Sequence, residues 1–136
     1  MQSWHQNLDL LIKARTPLIW IKSKEEERLK RILDLACKRL NKKRIISWDC
    51  VNGIQGSLND EKKFSNNPLG ILNWIQEQNN SVSTILLLKD FHKFYEDPII
   101  SRTIKELSFS LKQTTHNIIF SSHLYPSSDE LDELLT

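Results

Sequence analysis

Three groups of residues have types and positions that could do chemistry. Glu25, Glu26 and Glu27 follow an apolar run at 18–21, where an extended pattern gives way to a helical one. Asp49 and Asp90 each close a further apolar run, and Ser121 and Ser122 end another. In an open α/β sheet such positions share the carboxyl edge, where ligands bind. A carboxylate there can hold a metal-bound water for phosphoryl transfer, and a polar residue on the next strand can sense the phosphate.

The chemistry these groups lack is equally informative. A phosphate-binding loop needs glycines that let the backbone wrap the anion, followed by a lysine and a hydroxyl. The chain has three glycines, Gly53, Gly56 and Gly70, and neither G-x-x-x-x-G-K-[ST] nor G-x-G-x-x-G occurs. Only Lys22 and Ser23 separate Ile21 from a plausible helix start. Ser23 followed three residues later by Glu26 is instead a capping-box pattern. Glu25, Glu26 and Glu27 would then oppose the positive helix end, each placement contributing about 0.3–1 kcal/mol. Glu26 with Lys30 and Glu27 with Arg31 have i,i+4 spacing for ion pairs. Asp90 is followed by Phe91 and His92, not by a glutamate that could activate water. The plain reading of Asp49 and Asp90 is that they cap turns. His5, His92, His116 and His123 show no ligand spacing, so no metal and no cofactor are expected.

The elements that position these groups can be read from periodicity. Trp4, Leu8, Leu11 and Ile12 predict an amphipathic helix over 4–15, ended by Pro17. Strands are predicted at 18–21, 44–48, 84–89 and 117–121. The run at 84–89 is apolar on both faces and therefore central in a parallel sheet. Helices are predicted over 24–41, from Pro68 to about residue 78, from Pro98 with Ile100, Ile104, Leu107 and Leu111 inward, and over 127–135. Residues 50–67 have no clear period and read as a surface loop. Alternating strands and helices predict a three-layer α/β fold with a mostly parallel sheet of about four strands.

Composition sets the outer bounds. A chain of 136 residues, 39% hydrophobic and 26% charged, suits one globular domain over 1–136. Its formal net charge of +2 does not by itself imply nucleic acid. Arg28, Arg31, Lys38, Arg39, Lys42 and Lys43 make the second helix and its exit basic, either as a solvated face or as a partner surface. Cys37 and Cys50 form no metal or redox spacing. The longest apolar runs are too short for a membrane span.

Three stretches carry a family resemblance: LDLLIKARTPLIWIKSKEEERLKRIL, ILLLKDFHKFYEDPIISRTIKELSFSLK and IIFSSHLYPSSDELDELL. Together they resemble the N-terminal region of cyanobacterial and plastid AAA ATPases, known as a conserved open reading frame of some algal plastid genomes. The resemblance implies a RecA-like, P-loop-like domain that has lost its nucleotide site. Ser23, Glu25, Glu26 and Glu27 would stand at a degenerate Walker A position and Asp90 at a degenerate Walker B position. It also implies a protein partner, an AAA module or an oligomer, and a place in a cyanobacterial cytoplasm or plastid stroma. Family members continue into a Walker-containing module, whereas this sequence stops at Thr136. The leading functional expectation is a non-catalytic regulatory or assembly domain. One alternative is a receiver-like, metal-dependent phosphotransfer module using the glutamates, Asp90 and Ser121, with Asp49 at the same edge. It has no lysine after a fifth strand, and its carboxylates begin a helix. The other is nucleic-acid binding through the basic stretch 28–44.

Overall fold

The computed structural model describes residues 12, 16–22, 25–42, 44–56 and 63–122. Its elements are β1 (Leu18–Lys22), α1 (Glu26–Arg39), β2 (Arg44–Asp49), β3 (Gly53–Gln55), α2 (Pro68–Gln76), β4 (Thr84–Lys89), α3 (Pro98–Ser110) and β5 (Asn117–Ser122). Short 3-10 turns follow β4 at Phe91–Phe94 and α3 at Leu111–Gln113. The strands form one sheet in the order β1-β5-β4-β2-β3. Every pairing is parallel except that of β2 with β3.

Burial explains the order. Ile85 to Leu88 of β4 are wholly buried, as are Ile118 to Phe120 of β5, so these strands occupy the interior of the sheet. Alternation sends Leu18, Trp20, Ile46, Trp48, Leu86, Leu88, Ile118 and Phe120 to one face. There Ile71, Leu72 and Ile75 of α2 and Ile100, Ile104 and Leu107 of α3 cover them. Ile19, Ile21, Ile85, Leu87 and Ile119 pack on the other face against Leu29, Leu33 and Cys37 of α1. The result is the expected three-layer, P-loop-like arrangement. Ile12 is helical and buried in this second cluster. The rest of the predicted 4–15 helix and the predicted 127–135 helix lie outside the described residues.

Aromatic rings run across the first face towards the carboxyl edge. Trp20 stacks on Phe120 at 4.9 Å between centroids, Phe120 meets Phe91 at 5.6 Å, and Phe91 meets Trp48 at 5.6 Å. The two indoles have polar partners: Trp20 Nε1 donates to Ser122 Oγ and Trp48 Nε1 donates to the Phe64 carbonyl. Buried rings of this kind contribute area and edge-to-face contacts together.

The loop expected over 50–67 proves more structured than its lack of period suggests. Gly53–Gln55 forms a short antiparallel edge strand on β2, with Asp49 opposite Gly53. Gly53 has φ of 70°, a left-handed conformation that glycine adopts without steric cost where the chain turns back along β2. A strand of three residues is too short to display a period. Beyond it, Asn66 N–H donates to the Cys50 carbonyl, Ile54 N–H donates to the Lys63 carbonyl, and Ser65 Oγ donates to the Val51 carbonyl.

The prolines at helix starts act as predicted. Asn67 caps α2 by accepting from Gly70 N–H, and Asp97 caps α3 by accepting from Ile99 N–H, each just before a proline. Gly70 has a steric role besides. A Cβ at this position would lie 2.5 Å from Asn67 Nδ2 and 2.7 Å from Phe64 Cδ1. The Asn67 side chain is fixed by its capping bond and Phe64 packs on the core, so neither yields cheaply. In an ordinary helix Gly→Ala stabilises by up to about 1 kcal/mol. Here Gly70→Ala is expected to destabilise the protein in urea denaturation; a raised midpoint would contradict this packing.

Candidate functional site

The parallel strands bring the ends of β1, β2, β4 and β5 to one edge. A cleft of about 430 Å³ lies there, lined by Glu26, Asp49, Cys50, Val51, Asn52, Lys89, Asp90, Lys93 and Phe94. A second groove of about 500 Å³, lined by Glu26, Glu27, Lys30, Arg31 and Lys89, shares two of these residues. The structure therefore joins Asp49 and Asp90, 41 positions apart in sequence, in one cleft with Glu26 from α1. Ser121 does not line it. Its side chain is buried, and its carbonyl accepts the Asp90 N–H at 2.8 Å.

The helix starts later than the sequence pattern predicts. α1 begins at Glu26 with Glu25 at the N-cap position and no side-chain capping bond. Ser23, the expected cap, lies outside the described residues. β1 runs one residue further than predicted, pairing Lys22 with Ser122, and the helix begins later. Glu26 and Glu27 still occupy the first turn, against the positive end of the helix. The expected i,i+4 pairs are replaced as well. Glu25 takes Arg28 at 3.1 Å, and Lys30 turns forward to Asp34 at 3.3 Å instead of back to Glu26. Glu N-terminal to Lys is favoured over the reverse only by a few tenths of a kcal/mol, which local packing overrides.

Asp49 is occupied by its own turn. Its Oδ1 accepts Val51 N–H at 2.9 Å and Asn52 N–H at 2.8 Å, and Asn52 Nδ2 donates to both carboxylate oxygens. This turn-capping role is the plain reading of an acid before Cys-Val-Asn-Gly. Asp90 differs. It is exposed, with φ of 56° and ψ of 33°, a left-handed conformation that aspartate tolerates better than most residues. Its N–H joins β4 to β5, and its side chain makes no capping bond. Among the described residues, no group of three or more His, Cys, Asp or Glu could hold a metal ion.

The basic candidates divide. Arg28 is in its ion pair with Glu25. Lys42 Nζ donates to the Thr115 carbonyl, away from the carboxyl edge. Arg31, Lys38 and Arg39 are exposed on α1, and Lys43 lies outside the described residues. Arg44, also within the basic stretch, donates to Thr84 Oγ1 and Gln78 Oε1 and lies over the Trp74 ring. A continuous basic stripe over 28–44 is thus broken by internal contacts. Both cysteines are free thiols. Burial, reinforced by Asp34, pushes the Cys37 thiol up and away from the reactive thiolate. Among the described residues, no helix is long and apolar enough to cross a membrane.

An open, mostly parallel sheet with helices on both faces and a charged cleft at its carboxyl edge defines a P-loop-like α/β domain. Comparison with known proteins gives the family: the chain belongs to the N-terminal domains of SpoVK-like AAA ATPases, whose family model matches residues 4–136. It is 39% identical over 120 residues to the "Uncharacterized AAA domain-containing protein ycf46" of Gracilaria tenuistipitata var. liui, covering 88% of this chain and 24% of that protein. The protein of the same name from Trieres chinensis is 35% identical over 133 residues, covering 98% of this chain and 27% of its own length. That from Guillardia theta is 33% identical over 117 residues, covering 86% and 23%. The chain therefore spans about a quarter of the length of the curated relatives it matches. No solved structure matches it.

The two aspartates should respond differently to substitution. Asp49→Ala removes the acceptor of several turn hydrogen bonds and is expected to cost about 1 kcal/mol. Asp90→Gly removes no side-chain capping bond and relaxes a left-handed residue, so it should leave stability unchanged or raise it by up to about 1 kcal/mol. Urea unfolding of both variants checks this; a larger loss at Asp90 would reveal a structural role that the geometry does not contain.

Proposed function

We propose that this domain is a non-catalytic regulatory or assembly domain of an AAA-type ATPase. The observation that carries the reading is the start of α1. A nucleotide phosphate would need that helix terminus, and Glu25, Glu26 and Glu27 already place carboxylates there. Asp49 and Asp90 line the adjoining cleft and add negative charge. The sequence between Ile21 and Arg28 has no glycine with which to wrap a phosphate. On this reading residues 1–136 form a single degenerate P-loop-like domain. Ser23 to Glu27 occupy the former Walker A position, and Asp90 the former Walker B position.

The partner is a protein, either the AAA module or another copy within an oligomer. That the relatives are about four times as long supports a role beside further polypeptide. The exposed outer side of α1, with Arg28, Arg31, Lys38 and Arg39 around the exposed Leu35, is the proposed contact surface. The proposed setting is a cyanobacterial cytoplasm or plastid stroma.

A nucleotide site of even moderate affinity would be visible in stability. Ligand at 100 times its Kd stabilises by about 2.7 kcal/mol, which shifts the Tm of a domain this size by several degrees. Magnesium ATP at millimolar concentration should therefore leave the Tm unchanged. A clear rise, abolished by Asp90→Ala, would overturn the proposal.

A further inference from the structure

The carboxyl edge uses none of the polar residues gathered at the opposite edge of the sheet. There His116, immediately before β5, is only 2% exposed. Its Nδ1 accepts the Thr84 N–H at 3.2 Å, at the start of β4. Its Nε2 lies 3.3 Å from the Gln78 carbonyl, just past α2. An amide donor on one side and a carbonyl acceptor on the other fit one form of the ring, neutral with its proton on Nε2. The ring thus ties three parts of the chain together.

The surroundings reinforce that choice. Arg44 of β2 reaches the same two elements, through Thr84 Oγ1 at 2.8 Å and Gln78 Oε1 at 2.6 Å. Lys42, from the connection before β2, holds the Thr115 carbonyl next to the ring at 2.9 Å. Thr115 also bonds Asn80 in the α2–β4 connection. Among the described residues, the charged groups that act on the ring are Arg44 and Lys42, both cations.

We propose that His116 is a pH-sensitive clamp that holds the α2–β4 connection to the sheet when neutral and releases it when protonated. A proton on Nδ1 turns the acceptor into a donor facing the Thr84 N–H. That amide is then left without its partner in a buried position, and a third positive charge joins Arg44 and Lys42. Both effects oppose the charged ring. Burial first, and the two cations with it, depress the ring's pKa below the ordinary histidine value, although the Gln78 carbonyl acts in the other direction. A depressed histidine binds its proton more readily in the unfolded chain. The stability it contributes is therefore complete above about pH 6.5 and is lost as the pH falls below it. The connection over 77–83 is the segment released.

The test compares wild type with His116→Asn, whose amide oxygen can accept from Thr84 N–H but cannot titrate. Wild type should lose several degrees more in Tm than the variant between pH 7.5 and pH 5.5. Thr84 amide protection should fall by up to about tenfold in wild type alone. Parallel pH profiles would overturn the clamp. If the variant does not fold, NMR titration of the wild-type ring decides. A ring that stays neutral with its proton on Nε2 through pH 6 supports the proposal, and one that protonates at or above pH 6.5 refutes it.

Discussion

The structure depends on the burial of β4 and β5 on both faces. Strands covered on both sides cannot alternate polar and apolar residues, and Ile85 to Leu88 and Ile118 to Phe120 do not. Parallel neighbours require crossover connections, which place α1 on one face and α2 and α3 on the other. The same requirement sends the carboxyl ends of β1, β2, β4 and β5 to one edge. Asp49, Asp90 and the start of α1 meet there because the core permits little else.

The cleft made at that edge has the location of a phosphate site and different electrostatics. An empty helix terminus attracts an anion through unpaired N–H groups and the helix dipole. In α1 the first turn carries its own carboxylates, and Glu25 is further held by Arg28. Asp49 spends its carboxylate on its own turn. Lys89 and Lys93 place positive charge on the cleft wall, so the site is mixed in sign. Such a lining does not concentrate the positive charge that a polyphosphate calls for.

Much of the fold was legible because its signals are local. The apolar runs predict the four parallel strands, the double-sided run at 84–89 predicts the central one, and Pro68 and Pro98 mark helix starts. The edge strand at Gly53–Gln55 escaped periodicity, although Asn52-Gly53 after an apolar run is itself a hairpin signal. The i,i+4 pairs failed for a different reason. They depend on which rotamers Glu26 and Lys30 adopt, and Lys30 reaches forward to Asp34. The meeting of Asp49 with Asp90 followed from the topology. The bonds of His116 to residues 32 and 38 positions away left no trace in spacing, because the contacts form only once β4 and β5 are adjacent.

On the proposed function, the glutamates at the start of α1 keep phosphate out. Titrating inorganic pyrophosphate with magnesium into the labelled protein, while following backbone amides by NMR, tests it most directly. The amides of Glu26, Glu27 and Arg28 should remain unperturbed through low millimolar concentrations. Saturable shifts confined to those amides and to Asp90 would show a working anion site and contradict the account.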